Sequence, residues 1–116
     1  MTIILNDGNF NKEVIGSDIP VMVEFWAPWC QPCRLLYPIL DEVSRETEGK
    51  AKVCKINTDD NPKKTKLYNI KGIPAILVFK AGEIDDTVTG FVTKGKLMDM
   101  LKKAGMDEDN NKPSNP

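Results

Sequence analysis

The sequence predicts a single α/β domain in which helices cover both faces of a mixed β-sheet. Three observations lead to this fold class. The chain has 116 residues, a length that suits one hydrophobic core. Strand-like and helix-like segments follow one another in the order βαβαβαββα, which is typical of a sheet with helices on both faces. Two of the strand-like segments flank a glycine turn at residues 81–83, which predicts an antiparallel hairpin.

The amino-terminal elements are predicted from apolar patterning. Residues 2–5 form a short apolar run suited to a strand, and Asn9 is placed to cap a brief helix that reaches about residue 15. Residues 21–26 carry apolar side chains at both parities, which is typical of a central strand buried on both faces. Glu24 is the one charged residue of that strand.

A long amphipathic helix follows this strand. Its apolar residues recur at helical spacing from Leu36 to Val43, and Gly49 marks its stop. Pro32 suits the first turn, where no backbone N–H is needed. Pro38 lies inside the helix, where it displaces one backbone hydrogen bond.

The second half of the chain continues the alternation. Residues 53–56 read as a strand, and Asn61-Pro62 reads as the cap and first turn of a short helix ending near residue 68. Residues 75–80 and 84–89 are the two strands of the hairpin.

The last helix sets the predicted boundary of the domain. Thr93 caps it and Gly105 lies just beyond its end. We therefore expect the folded domain to span residues 1–106. Residues 107–116 are acidic and rich in asparagine, so we expect a disordered tail there.

Composition and charge exclude several classes of function. The formal net charge is -1, so no summed field attracts the protein to nucleic acid or to an anionic membrane. Apolar runs stay well short of the roughly 18 residues of a membrane span, and the first residues lack the pattern of a signal peptide. We expect a cytoplasmic monomer that binds neither nucleic acid nor membranes.

The chain has three cysteines and no histidine. An odd number does not suit a fully paired disulfide framework. Zinc takes about four ligands, and one cysteine beyond a Cys-x-x-Cys pair supplies too few within one chain, so we expect no metal. Without histidine, proton transfer near neutral pH requires a perturbed carboxylate, lysine or thiol.

Cys30, Gln31, Pro32 and Cys33 stand where a strand passes into a helix. A Cys-x-x-Cys sequence at such a junction is a redox motif, because the helix N-terminus favours a thiolate and lowers the pKa of Cys30. A disulfide here would close so short a loop that chain entropy supplies only about 2 kcal/mol, against about 3 kcal/mol for a loop of about 15 residues. The motif therefore indicates a redox switch rather than a structural crosslink.

These residues resemble the active-site segment of the thioredoxin family. The segment is Phe25-Trp26-Ala27-Pro28-Trp29-Cys30-Gln31-Pro32-Cys33, and the likeness extends over about residues 5–104. It continues in the family's order through Pro38-Ile39-Leu40-Asp41-Glu42, Asp59-Asp60-Asn61-Pro62, Gly72-Ile73-Pro74, Phe79-Lys80-Ala81-Gly82-Glu83 and Gly90.

The resemblance implies the thioredoxin fold, a five-stranded mixed sheet flanked by four helices, and the reduction of protein disulfides. It implies that the redox pair is exposed at one end of the fold, with Cys30 as the attacking thiol and Cys33 as the more buried resolving thiol. A client segment would pair with backbone beside a cis Ile73-Pro74 bond. The residues implied to border this client groove are Trp29, Gly72, Ile73, Pro74 and Gly90.

The resemblance also implies partners. A thioredoxin reductase, linked to NADPH or to ferredoxin, would restore the dithiol, and the clients would be proteins that carry disulfides. No cofactor is expected to bind the chain itself. Two other functions stay open: an oxidase or isomerase with a more oxidising pair, which the missing signal peptide disfavours, and a binding subunit with idle cysteines, which the retained cysteines and Pro74 disfavour.

Several residues depart from the family pattern or have two interpretations. Glu24 stands where the family usually has a buried aspartate. Burial should raise the pKa of Glu24, so it could take the Cys33 proton through a water, and the alternative is a carboxylate merely paired with Lys55. We favour the role as proton acceptor, since a lone charge in a central strand is costly to bury.

Three residues are expected to tune the redox pair. Gln31 replaces the glycine that is most familiar at this position in the family, and we expect it to alter the redox potential of the cysteine pair. Pro32 and Lys55 are expected to tune the same potential.

Cys54, in the third strand, is expected to be a small buried hydrophobe rather than a regulatory thiol. Trp26 is expected to contribute packing rather than catalysis.

Overall fold

A computed structural model describes residues 1–107 of the chain. It contains a five-stranded sheet. The strands are β1 (Ile3–Leu5), β2 (Val21–Trp26), β3 (Lys52–Asn57), β4 (Ala75–Lys80) and β5 (Glu83–Thr89). The helices are a π-helix (Asn11–Ile15), α1 (Gln31–Glu46), α2 (Pro62–Leu67) and α3 (Lys94–Lys103). Of the predicted tail, residues 108–116 lie outside the described residues.

The sheet is mixed, which confirms the predicted fold class. Its strand order is β1-β3-β2-β4-β5. β1 and β2 run parallel to β3, whereas β4 is antiparallel to both β2 and β5. The carboxyl ends of β2 and β3 and the amino end of β4 therefore meet at one end of the sheet, where Trp26 pairs with Asn57 and Phe25 with Ala75.

Apolar side chains on the two faces of the sheet build two core layers. Because side chains alternate along a strand, Met22 of β2 packs with α1 and α3, through residues such as Leu36 and Leu101. Its neighbour Val23 packs on the opposite face, with Phe10 beside the π-helix and Tyr68 at the end of α2. The two layers hold β2 rigidly in the middle of the molecule.

Two predicted helix caps are wrong in detail. Asn6, not Asn9, accepts from the first free backbone N–H groups before the π-helix, those of Gly8 and Asn9. At α2, Asn61 occupies the N-cap position but its side chain makes no capping bond to the helix. The carboxylate of Asp7 accepts from the N–H groups of Lys63 and Lys64 instead.

The hairpin turn is tighter than predicted. Its connection is Ala81-Gly82 alone, because Glu83 already pairs with Lys80. Both turn residues have positive φ, 52° at Ala81 and 82° at Gly82, the geometry that matches the twist of paired strands. The predicted cap of α3 is confirmed, since Thr93 Oγ1 accepts from the N–H of Lys96. Within the described residues no helix is long and apolar enough to cross a bilayer.

Candidate active site

Cys30 and Cys33 form a disulfide at the start of α1, with their Cα atoms 5.3 Å apart. Cys30 is the N-cap residue, with an extended backbone that lets the chain turn from β2 into the helix. The N–H of Cys33 donates to Cys30 Sγ over 3.2 Å. A backbone donor at the positive end of a helix is the environment that stabilises a thiolate on this sulfur once the disulfide is reduced.

The disulfide is covered rather than exposed. Cys30 is 4% exposed and Cys33 is 3% exposed, so the expectation of an exposed redox pair is wrong for the disulfide form. The cover comes from packing, since the two cysteines form one buried cluster with Ala27, and the half-buried side chains of Trp26 and Ile73 pack against this cluster. The neighbouring Gln31 and Pro32 are exposed.

Glu24 lies on the α1 side of β2 and is 2% exposed. Its Oε2 atom is buried and accepts no hydrogen bond from the described part of the chain. Burial raises the pKa of Glu24 to about 7, and the positive charge of Lys55 partly opposes this rise. A carboxyl group that titrates near neutral pH can both accept and release a proton under physiological conditions.

Lys55 is the strand neighbour of Glu24, because the two residues are paired in register between β3 and β2. No ion pair joins them among residues 1–107, although Lys55 is buried. The ammonium lies over two aromatic rings instead, 4.7 Å from the centroid of Trp26 and 3.5 Å from that of Tyr37. The simple pairing considered for Glu24 is therefore not what the structure shows.

A pocket of about 310 Å³ opens beside the resolving cysteine of the predicted pair. Its lining residues are Glu24, Trp26, Cys33, Arg34, Tyr37 and Lys55. The pocket thus brings together three predicted residues, Glu24, Cys33 and Lys55. Cys30 does not line it, so the two cysteines differ in surroundings although they hardly differ in exposure. Water can enter a pocket of this size and link the carboxylate to the thiol.

Four of the predicted groove residues lie around the amino end of β4, at the end of the sheet that carries the disulfide. The Ile73-Pro74 bond is cis, as the resemblance implied. Ile73 packs on the cysteine pair. The carbonyl of Pro74 accepts from the N–H of Gly90 over 2.8 Å, which ties the end of β5 to this place. Gly72 adjoins the same end, with its Cα hydrogen directed toward Thr89.

Trp29 directly precedes Cys30 and is 67% exposed. Its indole Nε1–H donates to the carboxylate of Asp59, at 3.2 Å to the nearer oxygen. Trp29 also lines a small pocket of about 170 Å³ together with Ile73 and Lys71. An exposed ring held by one hydrogen bond offers a flat apolar surface to an extended partner segment.

Sequence reasoning missed two residues of the site, Tyr37 and Asp59. Tyr37 carried a usable signal, because it lies four positions after Cys33 and so shares its helix face. Asp59 carried none, since its bond to Trp29 spans 30 residues of sequence. Within the described residues no group of three or more acidic or cysteine side chains is arranged to hold a metal ion.

Cys54 lies far from this chemistry in the core layer on the opposite face of the sheet. It is fully buried and free of any disulfide. Burial raises the pKa of the Cys54 thiol to about 12, with smaller opposing effects of Lys52 and Glu13. A thiol in this environment packs as a small hydrophobe, as predicted.

The sequence is similar to known proteins over nearly the whole described chain. The sequence model of the Thioredoxin family matches residues 1–103. Thioredoxin from Rickettsia conorii is 50% identical over 98 residues, covering 84% of this chain and 93% of that protein. Thioredoxin 1 from Nostoc is 48% identical, covering 85% of this chain and 92% of its own length. Thioredoxin from Pyropia yezoensis is 50% identical with the same coverage.

Proposed function

The chain belongs to the thioredoxin family and is a thiol-disulfide oxidoreductase, and we propose that Cys30 attacks protein disulfides while Cys33 resolves the mixed disulfide. The observation that supports this division is the difference in surroundings. Cys30 Sγ accepts a backbone hydrogen bond at the helix N-terminus. Cys33 shares a pocket with a buried carboxyl group.

The first step is attack by the Cys30 thiolate on one sulfur of a client disulfide. A bond forms between Cys30 Sγ and that sulfur, and the client's other sulfur leaves as a thiolate that takes up a proton from solvent. The backbone donor and the helix N-terminus favour the charged form of Cys30 before attack. The product is a mixed disulfide between the protein and its client.

The second step is attack by Cys33 on Cys30 Sγ. The Cys33 thiol must first lose its proton, and Glu24 accepts it across the shared pocket, directly or through a water. The Cys30–Cys33 disulfide then forms as the client's second thiolate leaves. Two electrons have moved from the dithiol to the client. Because Cys33 is held three residues from Cys30, its effective concentration is high and resolution is fast.

Clients and the reductase would use the surface around the disulfide. An extended client segment would pair with the backbone beside Pro74, bordered by Trp29, Gly72, Ile73 and Gly90, and main-chain pairing of this kind tolerates many sequences. A thioredoxin reductase, supplied by NADPH or ferredoxin, would return two electrons to the disulfide. These partners and a cytoplasmic location are proposed from the family assignment.

Covalent trapping tests the proposed roles. We expect Cys33→Ser to accumulate a mixed disulfide through Cys30 when mixed with a peptide dimer linked by one disulfide, because attack proceeds and resolution does not. Cys54→Ala serves as the matched control and should turn over without accumulating the adduct. Mass spectrometry of the quenched mixture identifies the linked cysteine. Normal turnover by Cys33→Ser would show that the two-cysteine mechanism is wrong.

A redox titration separates reduction from the opposite activity. The same scaffold with a more oxidising pair would act as an oxidase or isomerase. A reductase requires a Cys30–Cys33 couple more reducing than the disulfides of its clients. A couple that oxidises client dithiols at equilibrium would exclude the proposed reductase.

A further inference from the structure

Lys55 makes aromatic contacts that neither exchange step uses. Its ammonium sits 3.5 Å from the ring centroid of Tyr37, closer than to Trp26 at 4.7 Å. Lys55 is 9% exposed, so little water competes for this charge. The electron-rich face of an aromatic ring attracts a cation, and the attraction is stronger where water is excluded. The ring of Tyr37 is therefore the nearer of the two aromatic contacts of the ammonium.

The alternative position for the ammonium is beside Glu24. The two residues are register partners on adjacent parallel strands, so a change of side-chain rotamer would bring them together. In the structure Glu24 Oε2 instead remains buried without a hydrogen-bond partner from the described chain. The Lys55 ammonium thus lies over aromatic rings, while the buried Oε2 atom of its register partner accepts no hydrogen bond from the described chain.

We propose that Tyr37 is a positioning residue for the resolution step: its ring holds the Lys55 ammonium away from Glu24 and leaves the carboxylate available to take the Cys33 proton. This inference rests on the proposed function, because it assumes that Glu24 accepts that proton. Tyr37 does not touch the reacting sulfurs; it acts through Lys55.

The charges around Glu24 determine how loss of the Tyr37 ring changes the pKa of Glu24. The charged or titratable neighbours in the pocket are Cys33, Arg34 and Tyr37 from α1 and Lys55 from β3. The partner of Glu24 on β4 is the apolar Ile76. Loss of the ring releases Lys55 toward Glu24 and admits water to the pocket. Both changes stabilise the carboxylate, so both lower the pKa of Glu24.

The test compares variants of Tyr37 by two measurements. The first is the titration of the Glu24 carboxyl carbon by NMR in the disulfide form, and the second is the pH profile of mixed-disulfide decay. We expect Tyr37→Leu and Tyr37→Met to move both midpoints down by roughly one pH unit. Tyr37→Phe keeps the ring face and should keep the wild-type midpoints. Leu35→Ala, an exposed change on the same helix outside the pocket lining, should also leave them in place.

Three results would overturn the inference. They are unmoved midpoints in both Tyr37→Leu and Tyr37→Met, a shift toward higher pH, and a Tyr37→Phe variant that behaves like Tyr37→Leu. The half-exposed position of Tyr37 allows these variants to fold. Failure here is distinguishable from failure of the proposed function. If Glu24→Gln slows decay of the mixed disulfide while the Tyr37 variants leave both midpoints unchanged, Glu24 remains the proton acceptor and Tyr37 has no positioning role.

Discussion

At the scale of single residues, the burial of Glu24 makes the stability of the fold depend on pH, an effect that can be measured without any client. Its pKa is about 7 in the folded chain against an ordinary value of 4.5, so the folded state binds the proton more tightly than the unfolded state. The resulting stabilisation is complete below the unfolded pKa and is lost as pH rises through the folded one. Above that window the buried charge destabilises the fold by roughly 3 kcal/mol.

We therefore predict that Glu24→Gln removes most of the stability loss between about pH 4.5 and about pH 7. Urea unfolding of the disulfide form across this range measures the effect, and the variant should be the more stable protein at the upper end. Glu83→Gln is the control, since Glu83 is an exposed carboxylate. Parallel pH profiles for wild type and Glu24→Gln would contradict the raised pKa.

Cys54 is expected to be unreactive, because burial outweighs the positive charge of Lys52, which alone would favour a thiolate. Its raised pKa of about 12 leaves almost no nucleophile near neutral pH. We expect iodoacetamide to label Cys30 in the folded, reduced protein and to spare Cys54 until denaturant is added. Peptide mapping by mass spectrometry reads out both sites. Labelling of native Cys54 as fast as Cys30 would give it a reactivity that the core position does not explain.

The residues that sequence could identify are those whose role depends on local chain geometry. Cys30 and Cys33 were predicted because a strand-to-helix junction alone places them at a helix start. Burial of Glu24 was predicted from strand patterning. The stacking of Lys55 on Tyr37 was not, because it depends on how α1 lies across β3, a packing relation that no local pattern contains.

At the scale of secondary-structure elements, α2 shows a stabilising device built from distant residues. Asp7 accepts from two backbone N–H groups at the start of α2, and Asn61 Oδ1 accepts in turn from the N–H of Asp7 at 2.8 Å. These hydrogen bonds take the place of a local helix cap and connect the segment after β1 to α2. A helix this short depends on such contacts, since isolated short helices are marginal in water.

We predict that Asp7→Ala lowers the free energy of unfolding by about 1 kcal/mol, the usual cost of losing a carboxylate or hydroxyl cap. Thermal and urea unfolding measure the change. Asp18→Ala removes an exposed carboxylate at the opposite end of β2 and should have little effect. Equal losses of unfolding free energy in the two variants would mean that the hydrogen bonds of Asp7 do not stabilise α2.

Strands and long helices were predicted well because their signals are repeated along each element. The apolar periods of β2, β4 and α1 gave their positions directly, and the hairpin followed from its glycine turn. The caps at Asn9 and Asn61 were wrong because a capping residue is chosen by competition among nearby polar side chains. Asn6 accepts from residues only two and three positions away, so a local competitor displaces Asn9. Asp7 reaches the start of α2 across 56 and 57 positions, a contact that only the folded chain creates.

At the scale of the whole molecule, the strand order explains why the site exists. The cysteines follow β2, Asp59 follows β3, Pro74 precedes β4 and Gly90 follows β5, so strand direction brings all of them to one end of the sheet. The order of elements along the chain predicts a mixed sheet. It does not predict that β3 lies between β1 and β2, because that position depends on long-range pairing. The two core layers then hold these strand ends in fixed relation.

The most direct test of the account follows the mixed disulfide through a single turnover. Reduced protein is mixed with a disulfide-linked client, quenched at intervals, and analysed by mass spectrometry across pH for wild type and Glu24→Gln. The account predicts a transient adduct on Cys30 whose decay accelerates with rising pH through a midpoint of about 7. Glu24→Gln should form the adduct at the wild-type rate and resolve it more slowly. An adduct on Cys33, or an unchanged decay profile in Glu24→Gln, would contradict the assigned roles.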